Sequence, residues 1–364
     1  MSGLKLGAVE FLRDFGRSVT VKILEDSRGC SNIKYCGKYE FSVDDLKDAF
    51  YKDEVGMVLL KENIEVFGNL GYVSECRGEI PSSSKRIHFE KLTFNDGTMK
   101  ISIDKDSLHL VDWADKFIIN CHAKNLDDIM VVGLLVDCIR NLKSSHAWID
   151  LLYSSPMYLR YDRKMHKDNS DAFGARVLAH MLKATGISDV VLVDAHSDVI
   201  FNLLDNMGVW TYKVNQINLC QSMLDINKYS VVCPDSGAEK KVGSIANVFF
   251  TKDREPQTGV INGIVIKGCK AVEDKPYLIM DDICEKGGTF LGIVRVLKES
   301  AEYTGNPISL YVTHGVFPEG TPFNELRRTF EHIYVYNMPQ SAYTRIVRAF
   351  GGAEKITCKN VYID

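Results

Sequence analysis

From about residue 115 onward, short runs of β-branched and other apolar residues alternate with longer segments whose apolar positions recur every three or four residues. The short runs predict strands at Phe117–Asn120, Ala147–Tyr153, Val190–Ala195, Ser230–Asp235, Tyr277–Asp282, Ile308–Gly315 and His332–Met338. Between them the spacing predicts helices such as Leu126–Leu142, Ser170–Thr185 and Thr289–Glu302, the second opened by Ser170 and Asp171 as capping residues and closed by Gly186. Regular alternation of this kind implies parallel sheets covered by helices on both faces. The pattern runs through two passes, so the chain reads as α/β with two doubly wound domains, 86–205 and 206–364. Residues 1–85 read as an N-terminal extension of unclear role: Ser18–Leu24 resembles a strand, Ser42–Tyr51 a capped helix, and Pro81–Lys85 a linker or loop.

Length and composition narrow the classes. A chain of 364 residues exceeds the usual size of one domain, and an apolar share of 45% with 25% charged residues is enough to bury a core and leaves no tract expected to stay disordered. A formal net charge of −4 offers no electrostatic reason to expect nucleic acid or an anionic membrane as partner. Any anion must therefore be held locally. The longest apolar run, Met130–Val136, is far below the roughly 18 to 20 residues of a spanning helix. Ten scattered cysteines without a Cys-x-x-Cys pair, and an N-terminus carrying Glu10 and Asp14, point to free thiols, no signal peptide and a cytoplasmic enzyme.

The sharpest chemical signal is Tyr277-Leu-Ile-Met-Asp281-Asp282-Ile-Cys-Glu285-Lys286-Gly287-Gly288-Thr289. An apolar strand delivers two adjacent carboxylates at its carboxyl end, and a Gly-rich turn then leads into a helix. The free N–H groups of a helix start attract a phosphate, Gly287 and Gly288 permit close backbone approach, and Thr289 adds a hydroxyl. The paired aspartates suit ribose hydroxyls or a magnesium ion. This order of parts matches the ligand position expected at the strand ends of open α/β sheets. Elsewhere, Arg160-Tyr-Asp-Arg-Lys164 gathers cations suited to a triphosphate, Val190–Ala195 ends near Asp194 and His196, and Lys252-Asp-Arg254 precedes Pro256, Thr258 and Gly259, a composition suited to a mobile flap.

The 277–289 stretch resembles the phosphoribosyl-diphosphate-binding loop of the type I phosphoribosyltransferase fold. Five more segments, in order, resemble those of the ribose-phosphate diphosphokinases, or PRPP synthetases. These are Phe94-Asn-Asp-Gly97, Tyr158 to Lys164, Val191 to His196, Cys233-Pro-Asp235-Ser-Gly237 and Lys252-Asp-Arg254, so that the likeness spans roughly residues 90–364. It implies two phosphoribosyltransferase-like domains and a magnesium-dependent transfer of the β,γ-diphosphate of ATP to the anomeric hydroxyl of a ribose phosphate, with release of AMP.

The resemblance also implies the site. ATP falls to Arg160, Tyr161, Asp162, Phe94 and Asp96, the last two on a loop reaching a neighbouring subunit, hence a homo-oligomer from dimer to hexamer. Tyr161 stands where a glutamine is usual, which implies stacking on adenine, and Thr98 stands where a glutamate is common. Magnesium falls to His196 and Asp235. The acceptor ribose and its phosphate fall to Asp281, Asp282, Glu285, Lys286, Gly287, Gly288 and Thr289. Lys252 and Arg254 are the catalytic pair that neutralises charge in the transition state. Glu285 and Lys286 occupy positions usually held by aspartate and threonine, so the acceptor stays open between ribose 5-phosphate and the more highly charged ADP-ribose of an NAD-rebuilding pathway. A phosphoribosyltransferase and a non-catalytic regulatory relative are the other readings. Neither accounts for Lys252, Arg254, His196 and Asp235 together.

Overall fold

The computed structural model describes residues 6–12, 18–25, 34–42, 86–114, 116–164, 170–254, 261–270 and 274–362. The chain is mixed α/β. Among the described residues, one compact unit holds those of 1–73, 79–118 and 137–150, and a second holds those of 119–136 and 151–364.

The first unit contributes antiparallel pieces. Strands β1 (Leu6–Leu12), β2 (Ser18–Glu25) and β3 (Lys34–Ser42) form a three-stranded antiparallel sheet. The helix expected from Ser42 to Tyr51 begins on the last residue of β3 and otherwise lies outside the described residues, as does the 81–85 loop. Strands β4 (Phe89–Thr93) and β5 (Met99–Ile103) make a hairpin. Its turn closes through Phe94 N–H to Thr98 O, Gly97 N–H to Phe94 O and Thr98 N–H to the Asp96 carboxylate, with Gly97 at φ 87. The Asn-Asp-Gly motif is thus a hairpin turn first, whatever else it does. Helix α1 (Leu108–Trp113) follows.

Strands β6 (Lys116–Cys121), β7 (Trp148–Tyr153), β8 (Asp189–Val193) and β9 (Trp210–Val214) form a four-stranded sheet in that order, with β8 and β9 parallel. Helix α2 (Leu126–Leu142) links β6 to β7, and α3 (Gly174–Ala184) and α4 (Val199–Asn206) flank β8 in sequence. The start of α3 differs from expectation. It begins four residues after Ser170, at Gly174, with Phe173 at the cap and no side-chain cap bond. The first N–H groups are satisfied otherwise, Ala175 donating to Tyr161 O and Arg176 to Phe173 O. A backbone carbonyl from the preceding loop does the capping that Ser170 and Asp171 were expected to do.

The second unit is built on a seven-stranded sheet in the order β12-β11-β10-β13-β14-β15-β16. Its strands are β10 (Ser230–Cys233), β11 (Ala246–Arg254), β12 (Ile261–Cys269), β13 (Tyr277–Cys284), β14 (Ile308–Gly315), β15 (Ile333–Pro339) and β16 (Ile356–Tyr362). All neighbours run parallel except β11 and β12, whose antiparallel ladder pairs Lys252 with Ile264 and Arg254 with Ile261. All eight residues of central β14 are buried, as its apolar run implies for a strand covered on both faces. Helix α5 (Gln216–Gln221) and the short α6 (Glu239–Val242) precede α7 (Gly288–Glu299), whose Phe290, Ile293, Val294 and Leu297 form one buried stripe at helical spacing. Helices α8 (Phe323–Thr329) and α9 (Gln340–Phe350) complete the cover, α9 burying Ala342, Ile346 and Phe350. Among the described residues no helix is long and apolar enough to cross a membrane.

Within this unit the strands carry cross-links at their carboxyl ends. Thr313 Oγ1 donates to Asp194 Oδ2 at 2.5 Å, and His314 Nε2 lies 3.1 Å from Val193 O. Asn337 Nδ2 donates to Ser154 O at 3.4 Å. The ends of β8, β10, β13 and β14 are therefore brought together, which is where an open α/β sheet places its ligand.

Candidate functional site

A cavity of about 450 Å3 opens at these strand ends. Arg160, His196 and Asp235 line it, together with Asp281, Asp282 and the whole of Glu285–Thr289. Segments distant in sequence thus converge, as a nucleotide beside a sugar phosphate requires. Tyr161 and Asp162 do not line it. The Tyr161 ring lies against Gly174, where an added Cβ would come within 2.4 Å of ring carbon Cδ1, so part of that ring is engaged by protein. Phe94, 48% exposed, and Asp96 sit on the hairpin of the other unit. Lys252 and Arg254 lie on the last residues of β11 rather than in a loop, and residues 255–260, where the flap composition falls, are outside the described residues.

The candidate phosphate cradle is backbone. Gly287 caps α7 in the left-handed region at φ 83, Gly288 is the first helical residue, and the first N–H groups of the helix have no intrahelical partner. Gly287 has a second reason to lack a side chain, since a Cβ there would meet Leu326 Cδ2 at 2.8 Å, and Leu326 is fully buried. Gly287→Ala combines the left-handed strain with that clash. The variant is expected to lose about 1–3 kcal/mol of stability, read as a shift in the urea midpoint, and wild-type stability would show that Leu326 yields freely.

Asp235 lies two residues past β10 and turns Oδ1 back on its own loop, accepting from Gly237 N–H at 2.9 Å and Ala238 N–H at 3.0 Å. The carboxylate is thereby held at the cavity wall. Asp281 likewise accepts the Asp282 N–H at 2.9 Å. Asp282, 6% exposed, takes two partners on one oxygen: His196 Nδ1 at 2.7 Å and the Lys241 ammonium at 3.1 Å. Burial alone would raise its pKa, but the His196 hydrogen bond and the Lys241 charge hold it well below the usual carboxylate range. An ionised carboxylate only accepts, so His196 Nδ1 carries the proton and Nε2 is the ring nitrogen left for a ligand.

Lys241 is a site residue that sequence reasoning missed. It lines the cavity and bonds both Asp194 Oδ1, at 2.8 Å, and Asp282 Oδ2. Burial opposes its charge, yet the Asp194 and Asp282 carboxylates raise its pKa above the ordinary lysine value. Beside Lys240, nothing in the sequence distinguishes it. Cysteine chemistry is disfavoured here: burial pushes the Cys233 thiol up to about 12 and the Cys284 thiol higher still.

Among the described residues no group of three or more His, Cys, Asp or Glu is gathered to hold a metal. His196, with its second nitrogen fixed by a carboxylate, and Asp235 form a sparse donor set. Such a set fits magnesium, which keeps water and phosphate oxygens in its shell, better than a metal that needs a protein cage.

No family model matches the chain. It is 27% identical over 256 residues to a ribose-phosphate pyrophosphokinase from Mycoplasmopsis pulmonis, covering 68% of this chain and 75% of that protein. A ribose-phosphate pyrophosphokinase from Corynebacterium efficiens is 29% identical over 219 residues, covering 57% of this chain and 64% of the relative. Among solved structures, phosphoribosylpyrophosphate synthetase from Mycobacterium smegmatis superposes with a TM-score of 0.55 at 21% identity, over 76% of this chain and 86% of that one.

Proposed function

We propose that this chain, similar to ribose-phosphate pyrophosphokinases in sequence and fold, is a divergent member of that family and that its cavity transfers the β,γ-diphosphate of ATP to the anomeric hydroxyl of a ribose 5-phosphate compound, releasing AMP. The observation that carries the reading is the convergence of Arg160, His196 and Asp235 with the Asp281–Thr289 segment on one cavity. The anomeric oxygen bonds to the β-phosphorus, the bridging oxygen leaves with AMP, and the hydroxyl proton passes to water or a phosphate oxygen. In such a transfer alignment and charge neutralisation dominate.

The N–H groups at the start of α7 bind the acceptor's 5-phosphate, Asp281 orients the ribose hydroxyls, and Arg160 meets the polyphosphate with Lys252 and Arg254 as its further cations. His196 and Asp235 would hold a magnesium ion, which would supply charge neutralisation on the nucleotide. Phe94 and Asp96, on the hairpin of the other unit, belong to the same reading as an ATP contact made across a homo-oligomer.

The relatives' printed name carries a ribose phosphate, which favours ribose 5-phosphate as the acceptor, and ADP-ribose is the second reading. Favouring the second, Lys286 stands exposed beside the cradle and adds a cation where a 5-diphosphate would extend. The test is incubation with MgATP and either acceptor, following AMP and product mass. AMP with one acceptor is expected, and none from either would overturn the reading in favour of a phosphoribosyltransferase or a silent relative. Lys286→Ala is expected to raise the KM of ADP-ribose about tenfold or more, since a charge-assisted bond contributes about 1.5–3 kcal/mol. It should leave the KM of ribose 5-phosphate within threefold, and equal effects on both acceptors would remove the preference from Lys286.

A further inference from the structure

Lys240 and Lys241 are adjacent and of one type, but they live in different media. Lys240 is exposed, whereas the Lys241 side chain is only 12% exposed. Withdrawing an ammonium from water costs several kcal/mol unless its charge is matched. Here it is matched twice, by Asp194 after β8 and Asp282 on β13, so one cation joins carboxylates carried by two different sheets.

Asp194 is unusual in its own right. It sits in the left-handed region at φ 44, a conformation that aspartate tolerates better than most residues but that still needs support. Both its oxygens point inward, Oδ1 to Lys241 and Oδ2 to the Thr313 hydroxyl. Asp194 is therefore spent on holding Lys241 rather than on meeting a ligand. Asp282 receives Lys241 and His196 on the same Oδ2, so the ammonium and the imidazole are set by one atom. With Asp282 pinned, the ring of His196 has one tautomer and one orientation that satisfy the bond.

We propose that Lys241 is a positioning residue: its ammonium ties Asp194 to Asp282 and thereby fixes the tautomer and orientation of His196 at the cavity. The proposal rests on the diphosphate-transfer reading for its kinetic consequence, but the arrangement of His196 does not depend on that chemistry. Without the ammonium, two buried carboxylates face each other, Asp282 turns away, and His196 loses the acceptor that directs its Nε2.

The test uses full-length Lys241→Met, Lys241→Arg, Asp194→Asn and the double variant Lys241→Met with Asp194→Asn. Nitrogen-15 resonances of the His196 ring, recorded without substrate at one fixed pH, report the tautomer. Wild type and Lys241→Arg should show protonated Nδ1 alone, and Lys241→Met a mixture of tautomers. With MgATP and the active acceptor, Lys241→Met should lower kcat about a hundredfold while the KM of ATP stays within threefold, and Lys241→Arg should recover most of kcat. If Lys241→Met does not fold, the double variant, relieved of the facing charges, carries the test: folding returns but kcat and the single tautomer do not. Recovery of kcat and of the tautomer in the double variant, or their retention in Lys241→Met, would overturn the proposal. If wild type releases no AMP with either acceptor, the transfer reading fails by itself, and the substrate-free His196 resonances still decide the role of Lys241.

Discussion

Asp282→Asn is expected to lower kcat by at least a hundredfold while leaving a folded protein of reduced stability. The carboxylate is 6% exposed and accepts from His196 Nδ1 at 2.7 Å and Lys241 Nζ at 3.1 Å on a single oxygen. An asparagine keeps the shape and one acceptor, yet it removes the charge that matches a buried ammonium. Loss of one charge-assisted interaction costs about 1.5–3 kcal/mol, and breaking a buried pair about 3–5 kcal/mol, so a marked fall in the unfolding midpoint accompanies the kinetic loss. On the proposed function the kinetic loss is the larger effect, because Asp282 holds His196 in place and removal of one preorganised group costs about 100- to 1000-fold. Steady-state AMP release measured beside urea unfolding separates the two effects. A kcat within threefold of wild type, with the midpoint lowered, would leave Asp282 as a structural group only.

Much of the α/β frame is readable in the sequence for a simple reason. Strands buried on both faces must be apolar along their length, so the run Ile308–Gly315 marks β14 directly, and the Leu126–Leu142 periodicity marks α2. The candidate acceptor loop stands out because its parts are chemically specific and contiguous: two aspartates, two glycines and a helix start within nine residues. Other features are set by tertiary context. Ile261–Cys269 carries Gly263 and Gly268 inside the run, which hides β12 and its antiparallel pairing with β11. The cap of α3 comes from Tyr161 O, a backbone atom that no residue pattern announces. Lys241 is hidden for the deepest reason: nothing local separates it from Lys240, and its burial depends on Asp194 and Asp282, 47 and 41 positions away.

Acidification from pH 6.5 to 4.5 is expected to destabilise the protein through two buried histidines, His122 and His314. Burial lowers the pKa of His122 to about 3, with the charge of Lys124 and any charge on His314 acting in the same direction. Its Nδ1 sits 2.5 Å from Ser154 Oγ. His314 is also lowered by burial, which outweighs the opposing pull of Asp194 and Asp282, while Lys241 reinforces it; its Nε2 bonds Val193 O and its buried Nδ1 has no hydrogen-bond partner. Above the ordinary histidine pKa of about 6.5 both rings are neutral folded or unfolded, and neither biases the equilibrium. Below it the unfolded chain takes up protons that the native state refuses, so stability falls as pH falls, until each native pKa is reached. For His122 the slope approaches about 1.4 kcal/mol per pH unit, so over two units that ring alone removes up to roughly 2–3 kcal/mol, a sizeable part of the ~5–15 kcal/mol that holds a typical domain folded, and His314 acts in the same direction. Asp282, whose native pKa is depressed, acts in the same direction but in a lower window, because its unfolded form protonates only near pH 4. Urea midpoints at pH 7.5, 6.0, 5.0 and 4.5 should therefore fall steeply for wild type, and His122→Asn should flatten the slope by about 1 kcal/mol per unit. Parallel slopes for the two proteins would mean that the native His122 ring accepts a proton as readily as the unfolded one, which its burial makes unfavourable.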